Sequence, residues 1–224
     1  MSKNMKGVLG NQYGKVGPVV ARKFRNENVY SAYQGNVANP RTKAQTNHRL
    51  HFSAISQLAH KMACGARMGF VAAARGTNLS PRNIFQKVNW GCISVLGPDS
   101  INYDYTTLKV AKGGLAQVYS VGLNFDNPQT VKVELRRSAN KCQRTPNDKA
   151  YVVVYCPDFG TSVTSDPIDI DTTATAEVNV PDSWNGLKVH VWCFMRNDGE
   201  ASTEFDIAAG ECSDSEYCGS GNIG

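Results

Sequence analysis

No stretch of this sequence is apolar enough to cross a bilayer. The richest run, Ala54 to Ala74, is interrupted by His60, Lys61, Arg67 and two glycines, which is too polar for a hydrocarbon core. Met1 to Gly10 carries Lys3 and Lys6 but no apolar segment, so no secretory leader is legible. The expectation is a soluble protein made in the cytoplasm. Paired cysteine motifs are missing too. The seven cysteines are odd in number, irregular in spacing and never form C-x-x-C, unlike a disulfide framework or a zinc module. Cys156 and Cys193 fall in alternating apolar runs, where a reduced thiol packs as a small hydrophobe. Cys212 and Cys218 could pair in the tail.

Catalytic patterns are equally scarce. Of the four histidines, His48 and His51 lie three apart near His60 on one helical segment, yet no H-E-x-x-H occurs, which removes a zinc protease. They read as solvent-facing or satisfied helix histidines. His190 alternates with the apolar set of its strand and is expected at the surface. The glycines before Lys15 approximate a phosphate loop, but Val16 stands where Ser or Thr is required and no strand precedes them. Asp166, Asp169 and Asp171 share a polar loop without EF-hand spacing. No G-x-S-x-G elbow is present. No catalytic residue, metal ligand or cofactor is assigned, and the chain reads as a non-enzyme.

Acidic residues are nearly absent from the first part. Met1 to Ser80 holds twelve Lys and Arg against Glu27 alone, a net +11, and since the whole chain is +5 the remainder carries −6. Such asymmetry points the basic part at something negative, either nucleic acid or an acidic protein surface such as a neighbouring copy.

What is present falls into four regions. Residues 1–40 are rich in Gly and Asn, with strand-like segments Val19 to Phe24 and Asn28 to Tyr33 around a turn at Asn26 and Glu27. Two strands alone are marginal in water, and ~40 extended residues at ~3.3 Å each reach ~130 Å. The expectation is an extended basic arm. Residues 41–100 are helical. Thr42 to Gln45 forms a capping box after Pro40, and Phe52, Ile55, Leu58, Ala59, Met62, Ala63 and Ala66 recur at helical spacing. Gly65 and Gly69 weaken the far end and Gly76 closes it. A second helix opens at Ser80-Pro81, with Ile84, Phe85 and Val88 as its stripe.

From Ile101 to Ala209 the period becomes two. Val131, Val133 and Leu135 alternate with polar neighbours, as do Ala174, Ala176, Val178 and Val180. Lys149 to Cys156 and Leu187 to Met195 are richer still. Weaker strands near Thr107 to Val110 and Val118 to Phe125, and a last one at Thr203 to Ile207, complete about seven strands. The fold class is therefore α+β: an N-terminal extended arm or β-hairpin and helices, followed by an immunoglobulin-like antiparallel β-sandwich able to fold by itself. Residues 210–224 are expected to form a flexible tail.

These segments carry a family resemblance. Gly14-Lys15-Val16-Gly17, then Asn39-Pro40-Arg41-Thr42 with Gln45, Arg49 and Phe52, resembles an uncharacterised family encoded by Bacteroidota and their phages. Asn147-Asp148-Lys149 leading into Tyr151 to Tyr155, then Val180-Pro181-Asp182-Ser183-Trp184, Val189-His190-Val191 and Asp198-Gly199 extend the likeness over about residues 10 to 208. Leu135-Arg136 departs from it, because family members often carry Trp there. The tail with Cys212 and Cys218 is extra. The resemblance implies no catalytic residues. It implies a virion component such as a neck or tail ring protein, with portal, neck or tail proteins as partners.

The basic cluster Arg22-Lys23-Phe24-Arg25, with Tyr13, Tyr30 and Tyr33, suits either single-stranded nucleic acid or strand addition to a neighbour's sheet. The second is the preferred reading. Interface residues are assigned as Lys15, Arg22, Lys23, Arg25, Tyr30, Tyr33, Arg41 and Arg49, in a homo-oligomer. A non-specific nucleic-acid contact is the alternative. A third reading is a surface- or glycan-binding adhesin with Trp184 and Trp192 as platforms.

Overall fold

In the N-terminal region a two-residue Gly17-Pro18 link joins Val16 to Val19 as cross-strand partners, with Gly17 at φ +58°. Glycine at the first loop position is what a tight hairpin of this length favours. The computed structural model describes residues 13–24, 27–97, 100–139, 147–199 and 211–224, in two units, Met1–Gln45 and Thr46–Gly224. In the first unit, β1 (Gly14–Val16), β2 (Val19–Phe24) and β3 (Glu27–Ala32) form one antiparallel sheet in that order. The sequence marks β2 and β3. Gly-Lys-Val is too short to announce β1.

The helices start where the caps predict. The Gln45 amide donates to Thr42 Oγ1 at 3.3 Å, opening α1 (Lys43–Lys61). The Asn83 amide donates to Ser80 Oγ at 3.2 Å, opening α4 (Pro81–Val88). Between them lie α2 (Ala63–Gly69) and α3 (Val71–Ala74). The buried stripe of α1 is Ala54, Ile55, Leu58 and Ala59, so it runs to one side of the exposed Phe52. Gly65 and Gly69 have a different role from the helix weakening expected of them. A Cβ on Gly65 would stand 2.9 Å from Val153 Cγ2, and one on Gly69 would stand 2.2 Å from the Val110 carbonyl oxygen. These glycines let α2 lie directly on its neighbours.

Beyond a hairpin of β4 (Ile93–Gly97) and β5 (Ser100–Tyr103), two antiparallel sheets share a core. The smaller has β6 (Val118–Asn127), β7 (Thr130–Arg137) and β11 (Thr173–Asn179) in the order β11-β7-β6. The larger is built on β8 (Asp148–Cys156) and β12 (Lys188–Asn197). One edge of β8 is paired by β10 (Ile168–Asp169) near its start and β9 (Thr161–Thr164) near its end. Beyond β12 lies β13 (Glu216–Asn222).

Between the sheets, Val131, Val133 and Leu135 meet Val152, Val154, Val191 and Cys193. The opposite face of the larger sheet is also covered. There Tyr151, Val153, Tyr155, Trp192 and Phe194 pack with Ile55, Leu58, Met62, Phe70 and Phe85 from the helices. Full burial of such side chains contributes about 1.5–3 kcal/mol each, so the helical layer is part of the body rather than a region beside it. Double coverage explains why β8 and β12 read as nearly continuous apolar runs.

Three sequence expectations need correction. The tail is ordered from residue 211 onward, because β13 pairs with β12 from Lys188↔Asn222 to Cys193↔Glu216 and Ile223 reaches the core. Thr107 to Val110 is not a strand. Side chains take its backbone donors: the Lys109 amide donates to Asn89 Oδ1 at 2.7 Å and the Val110 amide to Ser215 Oγ at 2.9 Å. Trp184 and Trp192, read as glycan platforms, are 1% and 0% exposed, and the Trp192 indole N–H donates to the Leu108 carbonyl at 2.9 Å. The expected strand at Thr203 to Ile207 lies outside the described residues.

Candidate interaction surface

The sheet of the first unit presents polar and apolar side chains to solvent together. Register puts Gly14, Ala21 and Tyr30 in one cross-strand row, and Lys15, Val20 and Ser31 in the next. Since side chains alternate along a strand, Val16, Val19, Lys23 and Tyr30 share one face, while Lys15, Arg22 and Phe24 share the other. Arg22 and Lys23, adjacent in sequence, therefore point to opposite faces. Val16, Val19, Phe24, Tyr30 and Tyr33 are all exposed, Phe24 at 51%. Among the described side chains of this sheet, Ala21 and Asn28 are buried.

The structure brings together one predicted pair. Lys15 Nζ stands 3.5 Å from the centroid of the Tyr33 ring, and the Tyr33 amide donates to the Pro18 carbonyl at 2.7 Å. A cation over a ring face stabilises by about 0.5–1 kcal/mol at an exposed site. This contact steadies the segment that follows β3. Arg22, Lys23 and Tyr30 stay on the sheet, and Arg41 is exposed on the approach to α1. Arg49 is exposed on α1 in the second unit. Arg25 lies outside the described residues. Among the described residues no strand pairs with the outer edge of β1 or β3, and an outer strand edge is where another strand can add.

The imidazole Nε2 of His51 lies 2.9 Å from the Ile93 carbonyl oxygen, and its ring packs on Trp90 at 4.1 Å. His190 is buried at 8% exposure, not at the surface, because the rings of Tyr105 and Tyr217 pack against it. The described cysteines are free, so no disulfide joins Cys212 to Cys218. The thiol of Cys218 and burial together push the Cys193 thiol well up, keeping it protonated. No group of three or more His, Cys, Asp or Glu side chains could hold a metal among the described residues. None of the helices there is long and apolar enough to cross a membrane.

The molecule thus combines a body of helices and antiparallel sheets with an exposed, basic three-stranded sheet at the N-terminal end of the chain. Its sequence pattern from residue 10 to 205 matches a family of unknown function, DUF6266, and the chain belongs to that family. No curated protein and no solved structure matches it.

Proposed function

We propose that this chain is a non-enzymatic structural protein of a phage virion, forming a homo-oligomeric ring or collar in the neck or tail region through its N-terminal arm. The observation carrying the assembly part is the sheet β1-β2-β3, with exposed apolar and basic side chains on both faces and, among the described residues, no strand paired to its outer edges. A three-stranded sheet needs a covered apolar face to be stable in water, and a neighbouring copy supplies one. Net charge of +11 before residue 81 and −6 after it favours head-to-tail contact between copies. The virion setting, and portal, neck or tail proteins as neighbours, rest on the sequence resemblance.

An immunoglobulin-like reading of the body is supported by its strand order. β8, β12 and β13 pair as C, F and G do in that fold, and β11-β7-β6 as E, B and A. Mass photometry of the full chain against a variant lacking Met1 to Val37 tests assembly. The full chain is expected as a discrete large oligomer and the truncated one as a folded monomer. A truncated protein that forms the same oligomer removes the arm from the reading.

A further inference from the structure

Within the second unit, a cleft of about 480 Å³ opens beside β5, β12 and β13. One wall is a row of rings. Tyr103 and Tyr105 have centroids 6.0 Å apart at 14°, Tyr105 and His190 4.2 Å apart at 32°, and His190 and Tyr217 6.0 Å apart at 34°. The row is held in place. His190 Nδ1 lies 2.8 Å from the Tyr217 hydroxyl, and Tyr105 packs on the buried Tyr155 at 5.9 Å. Asp104 fastens the turn carrying Tyr105 by accepting from the Thr106 amide at 3.0 Å and the Thr107 hydroxyl at 3.0 Å. Tyr105 and His190 are also uncharged near neutrality. Burial pushes Tyr105 up to about 12, and burial with Lys188 alongside pushes His190 down to about 4.

The rim decides the ligand class. It carries the carboxylates of Asp104 and Asp158, the ammonium of Lys188 and the hydroxyl of Ser220. An aromatic cage for a cation would be opposed by Lys188, and an anion site by the two carboxylates. What the cleft offers is a neutral ring surface beside donors and acceptors on its rim. A pyranose has the matching form: a C–H face to lay on a ring and vicinal hydroxyls that both donate and accept. The volume is that of ordinary small-molecule sites.

We propose that this cleft binds a neutral saccharide, its ring laid on Tyr103 and Tyr105 and its hydroxyls bridging Asp158 and Lys188. Affinity electrophoresis of the full chain through gels containing dextran, mannan, galactan or xylan tests this. Retardation by at least one polymer is expected, with apparent affinity falling at least fivefold in Asp158→Ala and abolished in Tyr103→Ala. Asp158 is exposed, so its variant reports on the site even where loss of Tyr103 disturbs folding. No retardation in any of the four gels overturns the proposal. Retardation by dextran sulfate alone overturns it too, since the basic N-terminal region would give that. So does binding of free choline without binding of any neutral polymer.

Discussion

Arg137, at the end of β7, donates to Asp148, at the start of β8, with side chains 8% and 1% exposed. It also donates to the Ile170 carbonyl at 3.3 Å, so one guanidinium ties the two sheets at a corner of their core. Removing one member of such a pair leaves a buried charge without compensation, a loss of about 3–5 kcal/mol. Asp148→Ala is therefore expected to lower the urea midpoint sharply, and Arg137→Met with Asp148→Leu to recover much of the loss. A single variant with an unchanged midpoint would reject this role. His190 makes a pH prediction. Its folded form stays neutral down to about 4, while an unfolded histidine protonates near 6.5. Between those values the unfolded chain binds one more proton, so stability falls as pH drops, by about 1.4 kcal/mol per unit at most. Burial and the charge of Lys188 hold it down, with the rings of Tyr105 and Tyr217 packed against the imidazole. His190→Gln should flatten that part of the stability profile, read by chemical unfolding at several pH values. The sequence named this histidine but placed it in solvent, because alternation alone cannot reveal a second covered face.

At the scale of elements, the caps and periods were legible. Thr42, Ser80 and Pro81 mark helix starts through chemistry confined to one turn, and β7, β11 and β12 follow their alternation. What stayed hidden depends on distant partners. β13 reads Glu-Tyr-Cys-Gly-Ser-Gly-Asn, with no alternating apolar pattern, yet it closes the edge of β12 and brings Ile223 into the core. Deleting Glu216 to Gly224 is expected to abolish cooperative thermal unfolding or to cause aggregation through the opened edge. An undiminished melting transition would count against it. For the same reason a fragment from Ile101 to Ala209, lacking the helices and β13, is expected to fail where residues 46–224 fold. The arm's candidate residues were likewise only partly legible. Tyr33 and Lys15 were named separately, but their stacking depends on the β1-β2-β3 register, which a three-residue strand does not announce.

For the whole molecule, charge sorts the two leading readings. Reversing Arg22, Lys23 and Arg25 to Glu should weaken self-association roughly tenfold if each charge contributes about 0.5 kcal/mol, measured by concentration-dependent mass photometry. DNA affinity measured on the same variant provides the contrast. An intact oligomer whose salt dependence of DNA binding has flattened would favour nucleic acid as the arm's target, since each lost phosphate contact lowers that slope by about one.

The strands β8 and β12 serve a core on each face of the larger sheet, and this shapes how the body comes apart. Along β8, Tyr151, Val153 and Tyr155 belong to the core under the helices, while Val152 and Val154 belong to the core between the sheets. Neighbouring residues on one backbone thus answer to different cores. Neither core can loosen without moving the strand that serves the other, so the body should lose both in a single event. The amides of β8 and β12 would then exchange with solvent last and together, reporting the opening of the whole rather than of any part.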